Sequence, residues 1–115
     1  MNKLKNKFKL DNNIRVYVPS TFNVDNKIDN KKQVNKTLKE LSNLFGGSTS
    51  YNAIGTFISS KKKLIKENVT ICESYCTSED FKKSINDVVD YCENLKDEMK
   101  QEAVSLEVNN ELYFI

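Results

Sequence analysis

A chain of 115 residues, 38% hydrophobic and with a formal charge of +2, is the size of one domain and long enough for a two-layer core. It contains no run of 18 apolar residues and no apolar leader, so the expectation is a cytoplasmic protein without a membrane span or signal peptide. It contains no histidine, which removes the imidazole base, the Ser-His and Cys-His nucleophile pairs and the commonest zinc ligand.

Residues 1–13 hold Lys3, Lys5, Lys7 and Lys9 against Asp11 alone and follow no period. They read as a flexible basic tail ahead of a single α+β domain at 14–115. A basic excess carried by a tail, not by a face of the fold, argues against direct nucleic-acid binding. Residues 14–18 alternate as a first strand that Pro19 closes, because proline cannot donate to a ladder. Residues 20–30 form a polar connection. A helix follows with Val34, Leu38, Leu41 and Phe45 on one stripe, capped by Asp29 or Asn30 and ended by Gly46-Gly47.

Residues 49–59 read as the second strand, with Tyr51, Ala53, Gly55 and Phe57 on one face and Ile54 and Ile58 on the other. Gly55 in mid-strand predicts a bulge or a close approach by a neighbour. A turn rich in lysine, Lys61 to Lys63, leads to a third strand at 67–76. The long second helix, 79–101, carries Phe81, Ile85, Val88, Cys92, Leu95 and Met99 on one stripe, with Thr77 and Asp80 as a capping pair. A fourth strand at 103–108 turns at Asn109-Asn110 into a fifth at 112–115.

Cys72 and Cys76 are four apart on one strand, about 13 Å at ~3.3 Å per residue, too far to bridge. With Cys92 on the helix stripe, the three cysteines read as reduced thiols.

The order β-α-β-β-α-β-β is the split βαβ, or ferredoxin-like, plan with a C-terminal fifth strand. It predicts an antiparallel sheet with two helices on one face, strand order 4-1-3-2 and the fifth strand beside the fourth. The uncovered sheet face would present Tyr17 and Arg15, joined by Tyr51, Phe57, Tyr75 and Tyr113. On the second helix, Asp87, Asp90, Glu93 and Asp97 form an acidic stripe. Such a stripe is either a solvated face or a surface for a basic partner. No phosphate loop, dinucleotide fingerprint or calcium loop is present, so no cofactor, metal or catalytic residue is assigned.

The runs Phe45-Gly46-Gly47-Ser48-Thr49, Gly55-Thr56-Phe57, Glu67-Asn68-Val69-Thr70-Ile71 and Gln101-Glu102-Ala103-Val104 resemble a family of small uncharacterised proteins. That family is carried on plasmids and mobile elements of Gram-positive bacteria, and a more distant similarity is to a bacterial domain of unknown function. The resemblance implies a mobile-element setting and a protein that disables a host defence. The resulting expectation is a non-enzymatic protein-interaction module, an inhibitor of a host nuclease of the anti-CRISPR type. Asp87, Asp90, Glu93 and Asp97 would meet the foreign partner, and Tyr17, Tyr51, Phe57, Tyr75 and Tyr113 a second copy in a homodimer. The alternative is a small-ligand-binding or sensory domain acting as a dimer through the open sheet face.

Overall fold

The computed structural model describes residues 2–115. The chain runs β1 (Asn12–Pro19), β2 (Thr21–Phe22), β3 (Asn26–Lys27), α1 (Lys31–Phe45), β4 (Thr49–Ile58), β5 (Leu64–Cys76), α2 (Ser78–Met99), β6 (Ser105–Val108) and β7 (Glu111–Phe114). Five strands form one sheet in the order β4-β5-β1-β6-β7, and all its pairings are antiparallel. The fold is α+β, with both helices on one side of the sheet.

Alternation puts Ile14, Val16 and Val18 of β1 inward, all fully buried. Cys72 and Cys76 of β5 and Leu106 of β6 share that face. Val34 and Leu41 of α1 and Val88, Cys92, Leu95 and Met99 of α2 pack onto it. Phe81 and Ile85, on the same stripe, are only half-buried at the edge of this core.

Local signals place the ends of the helices. The Thr77 hydroxyl accepts from the Asp80 amide at 3.1 Å, which starts α2. Gly46, at φ 92°, ends α1 and donates its amide to the Ser42 carbonyl. Asn30 stands at the head of α1 but does not cap it. Its side-chain amide instead donates to the carbonyls of Val18 and Pro19 and to Thr70, while Asp29 accepts from the Lys31 amide.

Several boundaries differ from the sequence reading. β1 starts at Asn12, inside the expected tail, because the Asn13 amide donates to the Asn109 side chain and its carbonyl accepts from the Asn109 amide. β5 begins at Leu64, three residues early, since β4 supplies partners out to Ile58. The connection 20–30 holds a small ladder of β2 with β3, too short to show a period. No bulge occurs at Gly55: Ile54, Gly55 and Thr56 face Asn68, Glu67 and Lys66 in unbroken register. Nothing crowds that glycine either, the nearest atom to an added Cβ being the Glu67 carbonyl oxygen at 4.0 Å. The hairpin turn at Asn109 and Asn110 has φ of 50° and 70°, the left-handed pair that asparagine tolerates.

Candidate functional site

The uncovered sheet face is built from the other parity of the same strands. On β1 it carries Asn13, Arg15, Tyr17 and Pro19. Register sets Arg15 between Glu73 of β5 and Glu107 of β6. Its guanidinium donates from Nε to Glu73 Oε2 and from Nη1 to Glu107 Oε2, both at 2.5 Å. Asn13 adds a bond to Glu73 at 3.2 Å, and the Tyr17 hydroxyl donates to Glu107 Oε1 at 2.9 Å. The three charged side chains are 26%, 13% and 17% exposed, so the cluster is largely withdrawn from water.

Two carboxylates around one guanidinium leave a net negative charge on this face. The hydrogen bond to Glu73, then that to Glu107, drives the Arg15 pKa still higher against the effect of burial. Burial, and then the Glu107 hydrogen bond, raises the Tyr17 pKa, so its hydroxyl stays a neutral donor. The next row out is Tyr51, Ile71 and Tyr17, with Ile71 buried between the two rings.

Beside Tyr17 lies a cleft of about 230 Å³ lined by Tyr17, Gly55, Glu67, Val69, Gln101 and Ser105, among others. Gly55 on the edge strand faces Glu67, and its missing side chain leaves the cleft open. Gln101 at the cleft is tied back by its amide to the carbonyls of Thr21 and Met99. A larger cleft of about 430 Å³ opens on the other side of the β4–β5 hairpin, against Val24, Ile28, Ile54 and Ile65. It holds no aromatic ring, whereas the smaller cleft is walled by Tyr17, whose hydroxyl is tied to the charge cluster, so the smaller cleft is the better candidate of the two.

The structure separates the residues singled out from the sequence. Tyr17 and Tyr51 share the open face, and only Tyr17 lines its cleft. Phe57 lies on that face too, but far out on the hairpin opposite Ile65, and Tyr75 sits at the other end opposite Asn13. Tyr113 does not belong there: it pairs with the inward-facing Leu106, and β7 turns Leu112 and Phe114 to the open face instead. Asp87, Asp90, Glu93 and Asp97 are exposed along α2, on the helix side and remote from the cleft.

Glu73 and Glu107 were missed from the sequence. The signal was the single arginine among seventeen lysines, where a planar fork to two carboxylates is the use lysine cannot serve. Among the described residues no group of three or more Cys, Asp or Glu side chains is placed to hold a metal ion, and no helix is long and apolar enough to cross a membrane.

No protein-family model matches the chain, and neither does any curated sequence. Solved structures do. The fold is similar to that of a phage SAM lyase. Its complex with S-methyl-5'-thioadenosine superposes with a TM-score of 0.63 at 16% identity, over 95% of this chain and 94% of the other. A phage SAM lyase in its apo state gives a TM-score of 0.66 at 16% identity, over 99% of this chain and 95% of the other. This corrects the expectation of a non-enzymatic interaction module of the anti-CRISPR type, since both of these structures are of an enzyme. The missing histidine excludes imidazole-dependent chemistry and histidine metal ligands, not enzymes as a class.

Proposed function

We propose that this chain is an enzyme that cleaves S-adenosylmethionine in the cleft beside Tyr17. The observation carrying the reading is a cleft walled by Tyr17 next to a half-buried, net-negative cluster, on a fold shared over 95% of this chain with a SAM lyase. The split βαβ plan fits this reading, as the order β4-β5-β1-β6-β7 leaves one sheet face free for a substrate.

S-methyl-5'-thioadenosine is what remains of the substrate when the bond from the sulfonium sulfur to Cγ of the methionyl part breaks. The electron pair goes to sulfur, which leaves as a neutral thioether and needs no proton. With water excluded, the substrate's own carboxylate oxygen closes on Cγ and forms a lactone. That carboxylate is already ionised at neutral pH, so ring closure needs no general base. Opposite charges annihilate in this step, so a site of low dielectric favours it. Intramolecular attack gains further from being held in a reactive geometry.

The residues fit these duties. Tyr17 offers an aromatic body to the adenine or to the sulfonium. Glu67 at the cleft and the Glu73–Arg15–Glu107 cluster supply negative potential for a cationic substrate. A second copy laid on the open face would complete the exclusion of water, and Tyr51, Phe57, Leu112 and Phe114 stand exposed there for it. The reading keeps the cytoplasmic, mobile-element setting expected from the sequence.

The test is to incubate the purified chain with S-adenosylmethionine and separate the products by reversed-phase chromatography. Loss of substrate matched mole for mole by S-methyl-5'-thioadenosine is expected. Intact substrate in the presence of folded protein would overturn the reading.

A further inference from the structure

We propose that Glu107, held by Arg15, is a positioning residue that fixes the ring of Tyr17 as the wall of the cleft; this rests on the reading of the cleft as the substrate site. Tyr17 lines the cleft, yet its hydroxyl is turned to Glu107 Oε1 at 2.9 Å. The ring is thereby pinned at both ends, by its Cα in β1 and by its hydroxyl over β6.

Glu107 cannot swing away, because its second oxygen accepts from Arg15 Nη1 at 2.5 Å. Arg15 is in turn fixed from the opposite strand by Glu73, which also accepts from Asn13. A line of charge-assisted bonds therefore runs from β5 across β1 to β6 and ends on the aromatic wall. β6 is four residues long and paired to β1 through only three partners, so the placement of Glu107 also reports on the register of that strand.

A purely structural role makes a different prediction. If the cluster only ties three strands together, changing Glu107 lowers stability and leaves ligand binding alone. If it positions Tyr17, the hydroxyl and the carboxylate act as one unit. Tyr17→Phe, which keeps the ring and removes the hydroxyl, and Glu107→Gln should each weaken binding of S-methyl-5'-thioadenosine by about tenfold. The double variant should then be no weaker than the worse single variant. Glu98→Gln, on the far side of the molecule, serves as the control and should bind normally.

Melting temperature is recorded for each variant, and nuclear Overhauser contacts from the Tyr17 ring to Ser105 and Val69 are recorded without ligand. Loss of those contacts in Glu107→Gln, but not in Glu98→Gln, supports the proposal. Additive binding losses, or ring contacts retained in Glu107→Gln, overturn it. If the unaltered chain neither cleaves S-adenosylmethionine nor binds its product, the substrate reading fails, and the ring contacts still decide whether Glu107 positions Tyr17.

Discussion

Gly55 shows how one residue can keep a cleft open without being required by the fold. It pairs regularly with Glu67, its φ is not positive, and an added Cβ would stand 4.0 Å from the nearest atom. The backbone therefore does not require glycine, which in a strand interior costs roughly 0.5–1 kcal/mol relative to alanine. A side chain there would instead project onto the open face, into the cleft. Gly55→Val should leave the melting temperature unchanged or raise it by a few degrees, as expected for a β-branched residue in a strand. The same variant should lose S-adenosylmethionine cleavage by about tenfold or more if the cleft is the site. A thermal melt and a product assay on one sample check both halves. Full activity in a stable Gly55→Val protein would move the site elsewhere.

Among the elements, α2 is the one most legible from its own residues and the most committed to the core. Thr77 caps it, Lys100 at φ 52° ends it, and every fourth or third residue from Ser84 to Met99 faces the sheet. Val88 is at its centre and only 1% exposed. Val88→Asp places a charge where no partner can reach it, so it should destabilise by ~3 kcal/mol or more. Urea denaturation followed by far-ultraviolet circular dichroism measures this, and a midpoint equal to that of the unaltered chain would refute it. The β4–β5 hairpin behaves differently. Its outer half, Ile54–Ile58 against Leu64–Asn68, extends beyond any β1 partner and leaves Ile54, Phe57, Ile58 and Leu64 exposed.

Over the whole molecule, the three thiols tie stability to alkaline pH. Cys72 and Cys76 on β5 and Cys92 on α2 meet in one core and are all reduced and buried. Burial pushes the Cys72 and Cys92 thiols from 9.0 up to about 12, and raises Cys76 as well. Folding therefore holds protons that the unfolded chain releases above its own thiol pKa. The stabilisation is complete below pH 9 and is lost as pH rises towards 12. Unfolding free energy should fall with a slope approaching about 1.4 kcal/mol per pH unit for each of Cys72 and Cys92. Burial also lifts Tyr91 to about 12, against the effect of its bond with Thr37, and it joins the trend above pH 10. Urea titrations from pH 8 to 11 test this. The Cys72→Ala/Cys92→Ala variant should show a shallower slope, whatever its stability at neutral pH.

The helices, the strands and the inward-facing residues were legible in the sequence, because periods of 3.6 and 2 are properties of neighbours along the chain. So was the pairing of Asn109-Asn110 with a tight turn. Register was not. Whether Tyr113 faces helices or solvent depends on its partner being Leu106, and a shift of one residue would reverse it. Register also placed Glu73 and Glu107, separated by a whole helix in the chain, on either side of Arg15. The ladder at 20–30 has two residues per strand, too few to show a period, and β5 starts early because β4 pairs with it out to Ile58. The cleft is the extreme case. Tyr17, Gly55, Glu67 and Ser105 come from four different strands, so no spacing could announce them. The lack of a histidine removes imidazole chemistry, but the cleavage proposed above asks for an oriented, negatively biased cleft and no proton carrier. Such a cleft is a property of strands brought side by side, and only the tertiary structure brings them there.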